Sequence, residues 1–561
     1  MNLLEDEWLS VIRLNGEQEK LKGLWQLTEG DGNPIVDVIS PRADFKGALY
    51  QLLIGLVQTS FAPKNETEWE KYWLTAPDAN TLKNAFLTVT EAFSIDTDKP
   101  AFMQDYELLG DRQDVDIASL LIDTSGGGTF FVKEGTTENI SPYWASIALF
   151  TLQINAPSGG SGHRTSLRGG GPLTTLVLPD ETKQAASLWQ KLWLNIFTQK
   201  EVSALSGNTE LKDLHHIFPW LAPTRTSEAG KKDFITQPEQ GHPCQMYWGM
   251  PRRIRLDFKT TEVGDCDISH EATGQLISRY RTKNLGVNYS STWLHPLTPY
   301  VRDPNKEAYS VKAQVGGFSY RHWLGLVLED EKNHKQAAKV VQVYLSSRQE
   351  IISGDCQPRL WLFGYDMDNM KARCWYETTM PVFPIPQYSR NSVQEFISKM
   401  LNAATEVALD VRSTLKQAWF SKPKEAKGEI SFTDTQFWQL TETEFYRLLE
   451  KLINCGEDEK QVNALFDEWK RLLRTQALTL FDHWALSSNN EDGDMKRVVI
   501  ARRQLEIWLN AGKNIKLKFP KKSSSHHAQQ YGYQRIFRGF ARFGANPIKI
   551  LIESSFSDKP S

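Results

Sequence analysis

The pattern of hydrophobic and polar positions changes near residue 386, from a mixture of strand and helix periods to long helical periodicity. Apolar residues recur at helical spacing over 44–61, just before an Ala-Pro dipeptide, and predict a core helix. Near the N-terminus, 8–14 and 20–27 alternate apolar and polar residues on either side of an Asn-Gly dipeptide, which is the pattern of a β-hairpin. The chain therefore begins with both strand and helix.

Between these elements and residue 386, helices and short strands are mixed irregularly. Helices are predicted at 66–73, 78–92, 142–153 and 182–199, and strands at 117–122, 253–258, 319–328 and 359–363. No βαβ unit repeats among them, so this part of the chain is expected to be α+β.

The remainder of the chain shows long helical periodicity with few strand signals. Helices are predicted at 392–420, 435–454, 459–485 and 494–511. Four antiparallel helices with short links form a bundle, and two prolines mark a boundary near 383–387. The predicted fold class is α+β, with a large mixed α/β N-terminal domain over 1–386, followed by a C-terminal four-helix bundle with a basic extension over 387–561.

The composition is that of an ordinary soluble globular protein, with 40% hydrophobic and 24% charged residues among 561. The start of the chain shows no basic segment followed by an apolar run, and no window of about twenty apolar residues occurs. Five cysteines are scattered without a CxxC pair, which fits a reduced compartment and disfavours a structural zinc site. We therefore expect a cytoplasmic protein without a membrane segment.

Charge is distributed unevenly along the chain. Residues 512–561 contain seven lysines and three arginines against two acidic residues, which gives +8, so the net charge of −3 leaves −11 on residues 1–511. An acidic body with a basic extension suggests an anionic partner for that extension. The alternative is a solvated basic segment that contacts nothing.

The most unusual stretch is NAPSGGSGHRTSLRGGGPLTTL at 155–176, where two glycine clusters bracket His163, Arg164 and Arg168. Glycine lets the main chain approach a ligand closely and turn successive N–H groups toward an anion. Arginine adds bidentate recognition of phosphate. The segment is therefore either a loop that lies against a nucleic-acid backbone or groove, or a surface loop whose arginines are solvated.

Enzyme signatures are absent from the sequence. The nucleotide-binding pattern GxxxxGK[ST] does not occur, and the third glycine of GxGxxG is replaced by Thr165. The metalloprotease pattern HExxH lacks its second histidine after His270-Glu271, and the hydrolase pattern GxSxG is incomplete. We find no catalytic constellation and expect neither catalysis nor a cofactor. A site assembled from distant carboxylates would leave no such pattern.

Two further clusters combine cations with aromatic or glycine residues. The stretch 124–139 places Phe131 and Lys133 after three glycines, where a ring can stack on bases and the cation can meet phosphate. Taken without context, these residues favour the alternative, a hairpin that buries the phenylalanine rings. The stretch 279–289 carries Arg281 and Lys283 and by itself predicts a solvated turn.

Four spaced motifs connect the chain to a known family. They are MNLL at the N-terminus, SLRGGGPLTT at 166–175, HPLTPY at 295–300 and GYDMDNMKARCWYE at 364–377. In this order the chain resembles the CasA family, the large subunit of the type I-E CRISPR surveillance complex Cascade. The resemblance implies a noncatalytic DNA-reading subunit that lies beside the subunit holding the crRNA 5′ handle.

In the CasA family a glycine loop, a lysine finger and a short wedge read the protospacer-adjacent motif (PAM) from the minor groove and start strand separation. The matching positions are Ser158, Gly159, Gly160, Ser161 and Gly162 for the loop, Lys283 for the finger, with Arg281 as the fallback, and Asp368, Asn369 and Met370 for the wedge. Phe131, with Lys133 two residues on, matches an aromatic residue that meets the crRNA handle and the motif duplex. Candidate phosphate contacts are Arg164, Arg168 and Lys371.

Some relatives carry a cysteine-rich metal site between the positions that match Leu256 and Tyr280, but only Cys266 lies there in this chain, so we predict no metal. The basic extension lies beyond the matched part. Its candidate contacts to the displaced DNA strand are Lys516, Lys518, Lys521, Lys522, Arg535, Arg538 and Arg542, interleaved with aromatic residues that could instead form a packed helix face.

The resemblance implies recognition of the PAM in double-stranded DNA, opening of the duplex for pairing with the crRNA, and recruitment of a helicase–nuclease. The expected partners are that DNA, the crRNA 5′ handle, the other Cascade subunits and the nuclease. The alternative is an enzyme that binds a phosphorylated small molecule through its glycine-rich loop, which ligand-dependent melting without DNA binding would favour. A purely structural scaffold would be indifferent to the sequence that flanks the target.

Overall fold

The computed structural model describes eleven segments of the chain. They are 1–124, 135–160, 162–181, 185–228, 234–258, 263–352, 358–368, 371–425, 430–455, 458–486 and 494–511. All described residues belong to one compact unit. Its helices and strands confirm the predicted α+β class.

The helices are short in the first part of the chain and long in the last. They are α1 Ala43–Ser60, α2 Glu66–Leu74, α3 Ala79–Leu87, α4 Pro142–Asn155, α5 Leu188–Trp193, α6 Gln199–Val202, α7 Lys339–Val343, α8 Gln349–Ile352, α9 Arg390–Trp419, α10 Ser431–Cys455, α11 Glu459–Ala485 and α12 Met495–Ala511. The core helix predicted at 44–61 is confirmed as α1. Its apolar residues are almost fully buried, and it packs against α4.

The strands form small antiparallel sheets. They are β1 Ser10–Arg13, β2 Gln18–Lys20, β3 Ile35–Val38, β4 Asp114–Asp116, β5 Thr174–Leu178, β6 Arg253–Leu256, β7 Gly264–Asp265, β8 Ala272–Thr273, β9 Arg279–Lys283, β10 Tyr300–Val301, β11 Tyr309–Ser310, β12 Lys335–Gln336, β13 Arg359–Asp368 and β14 Lys371–Pro381. Two of the sheets position the candidate site, with orders β4-β9-β6 and β14-β13-β5. The predicted N-terminal hairpin is confirmed by the β1–β2 pairing, but the second strand predicted at 20–27 is wrong, because β2 ends at Lys20 and Leu24–Thr28 is a 3₁₀ helix.

Two further predicted strands are wrong. Ile117–Leu120 is a 3₁₀ helix that follows β4, and Tyr320–His322 is a second one within the stretch read as a strand at 319–328. Short apolar runs do not distinguish a strand from a buried turn. The predicted helix at 182–199 is also shorter in the structure, where α5 covers only 188–193.

The last four helices form the predicted bundle, in which α9 packs against α10, α11 and α12. The indole N–H of Trp469 in α11 donates to the carbonyl of Met400 in α9 at 3.0 Å. Tyr320 enters the bundle from the mixed region, since its ring stacks on Phe445 with centroids 4.3 Å apart and its hydroxyl lies 2.7 Å from Thr441 Oγ1. The domain boundary at residue 386 stays a prediction.

Candidate functional site

The glycine-rich segment 155–176 begins where α4 ends and leads into β5, so both of its ends are fixed by buried elements. Within it, the amide of Gly171 donates to the carbonyl of Asn155 at 3.1 Å, and the amide of Ser166 donates to that of Ala156 at 3.0 Å. These two bonds close the base of the segment. The intervening residues are therefore presented as a loop of defined shape.

The first glycine cluster lies at the surface. Ser158, Gly159 and Gly160 are exposed, whereas Ser161 lies outside the described residues. Gly160 has φ of +66°, a conformation that glycine adopts without strain, and a Cβ atom placed on it meets no atom within 4 Å. The main chain at Gly160 is therefore open to a ligand that approaches from solvent.

Lys283 lies beside this loop. It is the last residue of β9, and two residues later the amide of Leu285 donates to the carbonyl of Gly162 at 3.0 Å. The Lys283 side chain is 31% exposed, and its Nζ lies 3.4 Å from Glu107 Oε2. The structure thus brings together the glycine loop and the lysine, which are more than 120 residues apart in the sequence.

Arg281, the fallback for the lysine, is held by two carboxylates. Its Nε lies 2.8 Å from Asp114 Oδ1 on β4, and its NH2 lies 3.5 Å from Asp257 Oδ2. The side chain is 19% exposed. Because its charge is already compensated on both sides, Arg281 is a poorer candidate for a DNA contact than Lys283.

The second glycine cluster contacts the hairpin formed by β13 and β14. A Cβ atom on Gly171 would collide with the side chain of Met367, so glycine is required where the segment crosses the hairpin. Near the hairpin end, Arg373 forms a bidentate pair with Asp366, at 2.9 and 3.0 Å, and lies 3.2 Å from Asp368 Oδ2. The wedge position Asp368 is thus held by an arginine of the opposite strand.

The tip of this hairpin contains Asn369 and Met370, which lie outside the described residues. Lys371, the predicted phosphate contact that follows them, is exposed and pairs with Asp368 in the strand register. Phe131, Lys133 and the seven basic residues of the extension also lie outside the described residues, and their roles stay predictions.

Arg168 occupies an interior position that corrects its assignment as a phosphate contact. The side chain is 4% exposed, and its guanidinium donates to Thr174 Oγ1 at 2.8 Å and to the carbonyl of Ile154 at 3.0 Å. Burial lowers the pKa of Arg168 to about 10. We therefore assign Arg168 to holding the segment in place, because its donors do not reach the surface.

Arg164 is also held by the protein. Its Nε donates to Ser227 Oγ at 2.7 Å and its NH2 to the carbonyl of Ser227 at 3.0 Å, with the guanidinium over the ring of Phe234. The group remains partly exposed. A phosphate contact by Arg164 is therefore compatible with this geometry and stays a prediction.

One group of side chains has the geometry to hold a metal ion among the described residues. Ligand atoms of Asp213, His215 and His216 lie within 4.8 Å of one another, close to the surface. Cys266 and His270 are not part of such a group. The sequence did not single out the Asp213 cluster, and the expected absence of a metal stays a prediction.

Comparison with known proteins establishes the family. The family described as CRISPR-associated protein Cse1 matches residues 2–480. The chain belongs to the Cse1 family. The resemblance to CasA, an alternative name for Cse1 among the solved structures, is thereby confirmed.

Solved Cse1 structures share the fold over nearly the whole chain. Thermobifida fusca Cse1 is 16% identical with a TM-score of 0.69, over 92% of this chain and 98% of that one. Thermus thermophilus CasA is 14% identical with a TM-score of 0.66, over 91% and 99%. A chain of a CRISPR RNA-guided surveillance complex is 15% identical with a TM-score of 0.60, over 91% and 99%. At these identities the likeness shows the fold alone.

Sequence reasoning missed two residues that lie next to the candidate site. Glu107 joins Lys283 to Arg253, whose NH2 lies 2.8 Å from Glu107 Oε2. Arg252 lies beneath the loop, where its guanidinium donates to the carbonyl of Pro157. Both residues come from segments without a motif of their own, so only the three-dimensional structure shows that they contact the candidate residues.

Within the described parts of this Cse1-family chain, the helices are too short or too polar to cross a lipid bilayer.

Proposed function

We propose that this chain is the noncatalytic large subunit of a type I-E Cascade complex in the cytoplasm, and that it recognises the PAM in double-stranded DNA. It then promotes duplex opening for pairing with the crRNA and helps to recruit the helicase–nuclease. The observation that carries the proposal is the hydrogen bond between Leu285 and Gly162, which holds an exposed glycine loop next to Lys283.

The same glycine-rich segment links the loop to the hairpin that carries the wedge position. Gly162 of its first cluster accepts a hydrogen bond from the amide of Leu285, two residues after Lys283, and Gly171 of its second cluster lies against Met367. A groove reader and a strand separator need such a fixed spacing, because the first base pair to open must follow directly on the motif. The arrangement supports recognition and opening by one rigid unit.

The main-chain groups of the glycine loop and the Lys283 side chain are suited to contacts in the minor groove of DNA. That groove distinguishes mainly A·T from G·C pairs, so a few contacts give tolerant recognition of a short motif. Pairing with the guide then supplies the remaining specificity. This division requires no catalytic residue in the subunit.

A Lys283→Ala variant tests the lysine directly. We expect target binding to fall by about tenfold and the ranking of motifs to change, because a groove contact carries base information worth about 1–3 kcal/mol. The measurement is the affinity of the assembled complex for a panel of duplexes that differ only in the motif. Arg281→Ala, in the same strand, is the matched comparison and should leave the ranking unchanged.

A uniform loss over all motifs in Lys283→Ala, with a salt slope shallower by about one phosphate contact, would instead make Lys283 a backbone anchor. A change of ranking in Arg281→Ala alone would transfer the reading role to Arg281.

A change at Glu107 is expected to strengthen target binding, which is the opposite of the effect expected for Lys283→Ala. Burial would raise the pKa of its carboxyl group, but Arg253 and Lys283 lower it on balance, so Glu107 is ionised at neutral pH and competes with DNA for Lys283. An exposed ion pair is worth about 0.2–1 kcal/mol. We therefore expect Glu107→Gln to tighten target binding by roughly twofold to fivefold at low salt.

The matched control is Glu444→Gln, which makes the same charge change on α10, where Glu444 pairs with Arg447. If both variants tighten binding equally, the effect comes from net charge, and the competition at Lys283 is refuted.

The basic extension gives a further prediction, on residues outside the described part of the chain. Charge-neutral replacement of Lys516, Lys518, Lys521, Lys522, Arg535, Arg538 and Arg542 should weaken retention of an opened target with a strong salt dependence, because single strands are held by cations and aromatic faces. The measurement compares a fully paired target with one whose strands are already parted. Unchanged affinities and salt slopes for both would refute the displaced-strand role.

A further inference from the structure

A cavity of about 200 Å³ lies behind the HPLTPY motif, away from the roles proposed above. His295, Thr298 and Tyr300 of this motif line it, together with Arg302 and Lys339. None of the described residues that line the cavity is an aspartate or a glutamate. The described wall of the cavity therefore carries hydrogen-bond donors and positive charge but no carboxylate.

His295 provides a buried donor. The residue is 4% exposed, and its Nδ1 accepts the amide of Leu297 at 3.1 Å. Burial and the nearby Arg168 lower the pKa of His295 well below its usual value, so the imidazole is neutral and the proton is on Nε2. Among the described residues, no acceptor takes that Nε2–H.

Tyr300 provides a second donor of the same kind. It is 7% exposed, and its hydroxyl oxygen accepts the amide of His295 at 3.0 Å. Burial raises the pKa of Tyr300 to about 12, so the hydroxyl keeps its proton at neutral pH. Within the described parts of the chain this proton has no acceptor. Both donors are therefore available to a ligand or to water in the cavity.

Positive charge surrounds these donors. Arg302 donates to the neutral Gln336 at 3.2 Å, and the described structure places no carboxylate within ion-pair distance of Arg302 or Lys339. Behind the wall, Arg168 donates to Thr298 Oγ1 at 3.2 Å without a carboxylate partner among the described residues. Oxygen atoms of an anion would satisfy the donors and compensate the cations together.

We propose that this cavity binds a phosphate group, either as inorganic phosphate or as the phosphate of a mononucleotide. The volume is below the range of about 300–1,000 Å³ that is typical of sites for larger ligands, which favours a small anion. His295 and Tyr300 donate to its oxygens from the inside, and Arg302 and Lys339 compensate its charge from the rim. The site is independent of the proposed DNA contacts, which involve other residues.

The test uses the full chain with inorganic phosphate and, separately, adenosine monophosphate, at constant ionic strength against chloride. We expect saturable broadening of the ³¹P resonance, a dissociation constant of about 1 mM or tighter, and a concentration-dependent rise in Tm. Binding of phosphate alone identifies the free anion as the ligand, and tighter binding of the nucleotide identifies a nucleotide phosphate. Absence of saturable binding by both probes overturns the proposal.

Two charge-neutral variants locate the site. Arg302→Gln and Lys339→Gln should each weaken phosphate binding at least tenfold while the fold is kept, because both side chains lie at the rim. Lys306→Gln removes the same charge from a side chain that is 71% exposed and does not line the cavity, and should bind as the wild type does. Equal affinity in all four proteins would place any bound phosphate elsewhere and overturn the proposal. Affinity for motif DNA should be unchanged throughout, so failure here is distinct from failure of the DNA-reading role.

Discussion

A Gly160→Asp variant is expected to lose target affinity by roughly 100-fold, which corresponds to about 3 kcal/mol. The main chain at Gly160 is exposed, and no atom lies within 4 Å of an added Cβ, so the new side chain would extend into solvent from the loop. If a duplex occupies that space, a carboxylate lies against phosphates and repels them. The measurement is the affinity of the assembled complex for duplex DNA with its preferred motif.

Gly160→Asn is the matched control, because asparagine has nearly the same shape, is neutral and tolerates positive φ. It should lose less affinity than the aspartate variant, and the difference measures the charge. Both proteins should unfold at nearly the same temperature as the wild type. Wild-type binding by a folded Gly160→Asp complex would remove the loop from the DNA interface.

An Asp105→Asn variant is expected to lower the free energy of unfolding by about 3 kcal/mol. Asp105 is fully buried, and its Oδ2 accepts from Nε of Arg253 at 2.6 Å, where Arg253 is only 2% exposed. Removing one partner of a buried ion pair leaves an uncompensated charge, at a cost of about 3–5 kcal/mol. Glu107 retains part of the compensation for Arg253, so the lower end of that range applies.

Asp114→Asn makes the same chemical change at a carboxylate that is 47% exposed and pairs with Arg281. Its effect should stay below about 1 kcal/mol, as for other surface pairs. Urea unfolding of the two variants, with unchanged slopes, provides the comparison. Equal destabilisation by both changes would show that burial of the Asp105 pair does not determine its contribution.

The sequence predicted the long helices well because many turns repeat the same signal. The helix at 459–485 has the predicted bounds, and those at 392–420 and 494–511 differ from α9 and α12 by one or two residues. Short apolar segments carry no comparable signal. The run at 319–328 contains Tyr320, which is buried against Phe445 in the bundle, and this tertiary contact determines its conformation.

Residue types alone could not distinguish an arginine that is available to DNA from one that holds the fold. Arg168 stands in a glycine-rich motif, yet its donors bind the protein interior. Arg281 and Lys283 are two residues apart on one strand, and only the structure shows that Arg281 is held by two carboxylates whereas Lys283 contacts Glu107 alone among the described carboxylates. These distinctions depend on partners far away in the sequence.

Tyr320 also limits how the bundle can move. Withdrawing its ring from Phe445, Trp438 and Trp469 would expose about 150 Å² or more of aromatic surface, at a cost of about 4 kcal/mol. A rotation of the bundle at that cost would be populated about once in a thousand molecules at equilibrium. Reorientation of α9–α12 that leaves the Tyr320 turn in place is therefore rare at equilibrium.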